Sequence, residues 1–182
     1  VYKRQAVHDI TISGTRYRTY GELPAVGSCA PDVSLVNTAM QDVSLANFGG
    51  MRKVLNIFHS IDTPVPAQSV IIFNRLAEKQ EGVAMLMVSY DLPFAHARFQ
   101  KQHELEHVIG LSAIRHAGFG ENYGVQIMEG PLAGMFSPAV VVLDENNTVV
   151  HAEQIEDISK EPDYAAAYRA LGMEIDPAAL EI

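Results

Sequence analysis

The stretch His59–Ser69, HSIDTPVPAQS, has the composition of a reactive turn. It lies between an apolar run of strand length, VLNIF (Val54–Phe58), and a helix-period pattern, VIIFNRLAEKQ (Val70–Gln80). In α/β proteins a corner of this kind, at the carboxyl end of a strand, is where chemistry usually sits. A helix starting there offers free N–H groups and a positive dipole end, which favour a thiolate or another anion. Here Pro66 occupies the first helical turn. Proline suits the geometry but brings neither a nucleophile nor an N–H.

A second constellation is rich in histidine. His96, Gln100, His103 and His107 are spaced i, i+4, i+7 and i+11, which is one stripe of a helix. His103-Glu104-Leu105-Glu106-His107 also matches H-E-x-x-H, where two histidines one turn apart bind zinc and the glutamate activates water. That chemistry needs a continuous helix and a third protein ligand, and no third ligand stands nearby. Divalent-metal binding by His96, His103 and His107 is the form of the reading that survives. A solvated helix end, with His107 near a C-terminal dipole, accounts for the same residues. The sole cysteine, Cys29, sits in the loop GSCAPD (Gly27–Asp32) with no base or helix start beside it. It reads as a small loop residue rather than a working thiol.

The elements that must position these residues follow from pattern. VHDITI, Ser13-Gly14 and TRYRTYGE form a hairpin, so residues 1–24 read as an amino-terminal extension. A short strand at Val33–Val36 and the segment VSLANFGG lead to the Val54–Phe58 strand. Helix pattern covers Pro66–Gln80, with Asp62-Thr63 as its cap. The buried strand VAMLMVSY (Val83–Tyr90) precedes a second helix, PFAHARFQKQHELEH, capped by Asp91 ahead of Pro93. VIGLS, an irregular HAGFGENYG, and the hairpin AVVVLDENNTVVHAEQI come next. Asp157 or Ser159, with Pro162, introduces a last helix, DYAAAYRALG, stopped by Gly172. The tail at residues 173–182 has no assigned role. This order predicts a single α/β domain over residues 1–182, with a central mixed sheet and helices on both faces.

Composition narrows the function classes. The 182 residues, 48 % of them hydrophobic, suit one domain with a substantial core. A net charge of −9 argues against nucleic acid and anionic membranes as partners. No run approaches the roughly 20 apolar residues of a membrane span. One cysteine permits no intramolecular disulfide, and no secretory leader is visible, so a cytoplasmic location is expected. No nucleotide-binding glycine motif occurs, and no cofactor is expected.

With these residues in view, the chain resembles the bacterial thiol peroxidases, the atypical two-cysteine branch of the peroxiredoxins. The resemblance rests on KVLNIFHSIDT (Lys53–Thr63), SYDLPFAHARF (Ser89–Phe99), YGV (Tyr123–Val125), EGPLAG (Glu129–Gly134), AVVVLDEN (Ala139–Asn146) and EPDYAAA (Glu161–Ala167). It implies a thioredoxin-like fold of peroxiredoxin type, and it implies peroxide reduction. It also implies a peroxidatic cysteine three residues after Thr63, where Pro66 stands, and His59 replaces the proline that opens the motif. The resolving cysteine is expected at Gln100, and the arginine that steadies thiolate and peroxide is expected at Pro138. Of the four chemical groups only Thr63 remains. Peroxide reduction needs a sulfur with a depressed pKa and a fixed cation for the departing charge. A degenerate, non-catalytic site follows, with binding or association as its role.

The same resemblance implies a homodimer, consistent with the commonest oligomer symmetry. Proline before a core strand in thioredoxin folds suggests that Ser137–Pro138 is cis. A pocket of His59, Thr63, Pro66, Ser137 and Pro138 would then accept a peptide or small thiol. Retained activity through Cys29 or a partner, and metal binding on the histidine stripe, are the alternatives.

Overall fold

The amino-terminal hairpin forms as the alternation predicts, from β1 (Val7–Ile12) and β2 (Thr15–Tyr20) in full register. Ser13 and Gly14 turn the chain with φ of 49° and 80°, the two left-handed positions of a tight hairpin turn. The computed structural model describes residues 7–180. The first six residues of the expected extension and the last two of the tail lie outside them.

The remaining strands are β3 (Leu35–Asn37), β4 (Asp42–Val43), β5 (Arg52–Ile57), β6 (Val83–Ser89), β7 (Ile109–Ser112), β8 (Ala139–Leu143) and β9 (Val149–Gln154). They form one sheet in the order β4-β3-β7-β6-β5-β8-β9. The central strands β5, β6 and β7 are parallel, and the others join antiparallel. Parallel neighbours need crossovers, supplied by α1 (Pro64–Ala77) between β5 and β6 and by α2 (Pro93–Gln102) between β6 and β7. Successive crossovers stepping the same way keep their helices on one face of the sheet. Accordingly Phe73 of α1, Phe99 of α2 and Tyr168 of α4 (Tyr164–Ala170) share one core layer with Val54, Met85 and Val140. The opposite layer packs Leu55, Leu86 and Val141 against Leu45, Phe119, Tyr123 and Phe136. Helix does lie on both faces, but unequally. Among the described residues the second face carries only the 3-10 turn Leu45–Phe48 and the single-turn α3 (Phe119–Asn122), set in the stretch that reads as irregular.

Several boundaries differ from expectation. The first helix starts two residues early, because proline at a first helical position is already shaped for it. The last helix is capped by Asp163, whose carboxylate accepts from Ala166 N at 2.8 Å, and not by Asp157 or Ser159. The tail carries a 3-10 turn at Pro177–Leu180, and Met173, Ile175 and Ala179 pack on the α1/α4 layer.

The largest difference is α2, which stops at Gln102 instead of reaching His107. Glu104 takes a left-handed φ of 53°, Leu105 N donates to Gln100 O (2.9 Å), and Glu104 N donates to Lys101 O (3.4 Å). This is a Schellman ending, closed by burying Leu105 beside Phe99. The H-E-x-x-H spacing is therefore not on a helix. His96 is 2 % exposed and points inward, whereas His103 and His107 are exposed beyond the helix end. The stripe of three histidines does not exist as a surface, and among the described residues no three His, Cys, Asp or Glu side chains are grouped to hold a metal.

Candidate functional site

The corner after β5 is held by one carboxylate. Asp91 Oδ2 accepts from Ile61 N (2.7 Å) and Ser89 Oγ (2.7 Å), and Oδ1 accepts from Ser60 Oγ (2.8 Å). Asp91 thus ties the β5–α1 turn to the end of β6. It does not cap α2, where Leu92 holds the cap position. Buried His96 extends the network through Ser89 Oγ at 3.0 Å. Burial pushes His96 down to about 4, against the opposing pull of Asp91 and Asp62.

Thr63 occupies the N-cap position of α1 without capping by its side chain. Its hydroxyl donates to Ser60 O (2.7 Å) and lies 2.9 Å from His59 Nε2. With the Thr63 proton assigned to Ser60 O, Thr63 is left to accept, and that hydrogen-bond pattern assigns the proton of His59 to Nε2. The other, Nδ1, is buried without a partner. His59 is 7 % exposed, and burial lowers its pKa against a smaller upward pull from Asp91. Asp62, expected as a cap, pairs instead with Arg98 of α2.

A helix start normally presents unsatisfied N–H groups. Here positions one and three of α1 are Pro64 and Pro66, and Ala67 N already donates to Thr63 O at 3.0 Å. Val65 alone is left to offer its N–H. A cleft of about 340 Å³ opens over this start, bounded by Ser13-Gly14, His59, Thr63, Pro64–Pro66 and Asp157–Ser159. Pro138 is not among the residues of this cleft but lines a narrow crevice that shares Val65 and Pro66 with it and includes Asn56, Ser69 and Lys160.

The expected pocket is therefore divided. His59, Thr63 and Pro66 share the cleft, and Pro66 and Pro138 share the crevice. Ser137 is fully buried with its hydroxyl accepting from Gln154 Nε2 (3.2 Å). The Ser137–Pro138 bond is trans, since no cis peptide occurs among the described residues. The chain is already paired on both sides of that bond, Ser137 N to Val125 O (2.7 Å) and Ile155 N to Pro138 O (2.9 Å), so the extended trans form leads straight into β8. Pro138 therefore does not present the backbone edge that a cis-proline would offer a peptide or small thiol. Gln100 points away from the corner, its amide donating to Val108 O at 2.8 Å.

Cys29 is exposed and pairs with Thr148 across an isolated bridge, at the β8–β9 turn. That turn adjoins the start of β5, because Lys53 pairs with Leu143. The thiol and the corner are thus at opposite ends of a six-residue strand, ~17 Å apart or more at about 3.3 Å per residue.

Asp91, Ser60, Ser89, the Ser13-Gly14 turn and Asp157–Ser159 carry the site without having been singled out for it. Their meeting depends on long-range packing, and only the Asp-Leu-Pro sequence at Asp91 hinted at a special position.

Comparison with known proteins follows the same lines. The Redoxin family model matches residues 25–168. A thiol peroxidase of Mycobacterium bovis is 45 % identical over 163 residues, covering 90 % of this chain and 98 % of the relative. Among solved structures, a peroxiredoxin-like protein from Aquifex aeolicus is 29 % identical with a TM-score of 0.84, covering 91 % of this chain and 98 % of its own. A thiol peroxidase from Chromobacterium violaceum is 25 % identical with the same TM-score, covering 90 % and 95 %.

Proposed function

Since the chain belongs to the Redoxin family, in its thiol peroxidase branch, we propose that it keeps that scaffold but acts by binding rather than by reducing peroxide. One observation carries the reading: the only thiol, Cys29, stands at the opposite end of the sheet from the strand-to-helix corner. At that corner Pro66 offers no sulfur, Pro138 stands where an arginine is expected, and the one cation lining the crevice beside it is the exposed Lys160. Attack on an O–O bond needs a thiolate, and the charge on the departing oxygen needs donors or a cation. One Val65 N–H is a poor substitute. What the corner retains is shape: a cleft with a rigid, proline-braced rim and a hydrogen-bonded floor.

Two finer elements belong to the same proposal. The protein pairs with a second copy, supported by the exposed Leu92, Phe94 and Ile114 clustered where α2 begins and β7 ends. It works in the cytoplasm, supported by its single unpaired cysteine.

Peroxide consumption with thioredoxin and its reductase tests the main reading, run beside Cys29→Ala. No turnover above the protein-free rate is expected in either protein. Thiol-dependent turnover that disappears in Cys29→Ala would establish an active peroxidase and remove the proposal.

A further inference from the structure

The binding reading leaves the ligand open, and the chemistry of the cleft narrows it. An anion finds little there. Pro64 and Pro66 remove two of the three N–H groups that the first three helical residues would offer, leaving Val65. His59 contributes no positive charge, because its buried ring stays neutral, and its unpartnered Nδ1 puts a bare lone pair in the floor. Thr63 cannot donate, its proton being held by Ser60 O.

Acceptors dominate instead. Asp157 is the one charged side chain among the lining residues. Ser159 N (2.9 Å) and Ser159 Oγ (2.7 Å) both donate to its Oδ1, which holds the carboxyl below its usual range and leaves Oδ2 for a ligand. The cation that acts on Asp157, Lys160, also lowers its pKa, but it lines the crevice with Pro138 and is not among the residues of the cleft. Pro64, Val65, Pro66 and Ile158 give the cleft an aliphatic wall suited to a short carbon stem.

We propose that this cleft binds a primary ammonium carried on a short aliphatic stem, with the charge on Asp157 and the stem along Pro64–Pro66. The lone pair of His59 adds negative potential below the ligand rather than a direct contact. Such a group is found on free amines and on lysine side chains of peptides.

An NMR titration of the full chain at low salt, with butylammonium and butyrate as probes of equal length and opposite charge, tests the assignment. Butylammonium is expected to shift the amides of Gly14, Val65 and Ser159 with a dissociation constant on the order of 1–10 mM. Butyrate is expected to leave them in place. Asp157→Asn keeps the Oδ1 acceptor for Ser159, so the turn survives, and weakens butylammonium about 5-fold. The tripeptide Gly-Lys-Gly separates the sources: tighter binding than butylammonium assigns a peptide lysine, and equal binding assigns a free amine. The proposal is overturned if butyrate binds as well as butylammonium, if neither binds, or if Asp157→Asn binds butylammonium unchanged. Each of those results leaves the non-catalytic reading standing, whereas peroxide turnover would remove that reading alone.

Discussion

His59 and His96 approach the same carboxylate, Asp91, and both are kept from charging by burial. A histidine whose folded pKa lies below its free value of about 6.5 binds its proton more readily in the unfolded chain. Stability from these two groups is therefore complete above pH ~6.5 and is lost as the pH falls toward the folded value. For His96 that window runs from about 6.5 down to about 4. Thermal melts should show Tm flat from pH 8 to 7 and falling below 6.5, with a shallower fall in His96→Asn. An unchanged slope in that variant would mean other groups carry the effect.

A second residue-scale test restores the missing chemistry. Pro66 and Pro138 line one crevice, so Pro66→Cys places a sulfur beside position 138. Slow oxidation by peroxide is expected in the single variant. Pro66→Cys with Pro138→Arg should react on the order of 10²-fold faster, the weight of one preorganised charge-stabilising group. Equal rates would show that the crevice does not aim position 138 at the sulfur. Thr63 and Pro66 were legible in the sequence because a motif fixes them within a few residues of one another. The trans bond at Pro138 was not, since the partners that decide it are Val125 and Ile155.

The helix α2 shows where periodic reading fails. HELEH continues the apolar and polar spacing of the helix before it, yet the backbone reverses at Glu104. The deciding term is burial of Leu105 against the α1 layer, which a one-dimensional period does not contain. A non-glycine residue in the left-handed region costs about 1 kcal/mol, so Glu104→Gly should raise stability by up to ~1 kcal/mol. Loss of stability in a urea titration would argue that the helix runs on through His107.

The same helix sits unusually close to β7. A Cβ on Gly110 would stand 2.6 Å from His96 Cβ and 2.8 Å from His96 Cγ. Gly110→Ala must push α2 away or distort β7, and it is expected to cost about 1–3 kcal/mol, as overpacking does. The strands themselves were well marked, because β6 and β8 are buried on both faces and read as nearly continuous apolar runs, while β5 is buried likewise but carries Lys53 and Asn56 among its apolar residues.

At the scale of the molecule, two core layers separated by one sheet explain why the fold tolerates a changed corner. The corner sits beyond the strand ends, where Ile61 and Ala67 belong to one core layer but His59, Thr63 and Pro66 belong to neither, so those three can differ while both layers stay filled. This order of elements and the mixed sheet were legible, while the hairpin's position over the corner was not. Its attachment depends on Thr11 N to Glu156 O (2.6 Å), Ile158 N to Thr11 O (3.2 Å), Tyr20 N to Gln126 O (2.9 Å) and Met128 N to Arg18 O (2.8 Å), contacts between segments far apart in the chain. Association belongs to this scale too. Phe94 is 63 % exposed at the start of α2, beside Leu92. In light scattering the protein should run as a dimer and Phe94→Glu as a monomer with unchanged circular dichroism. A wild-type monomer at micromolar concentration would end that reading.

The remote placement of Cys29 has a practical side. A maleimide dye or a tether attached there would modify each polypeptide once, and the attachment point would face away from the proline-braced cleft. Molecules anchored to a surface through that sulfur would all present the opening to solution in a common orientation, ready for any candidate amine to be washed across it.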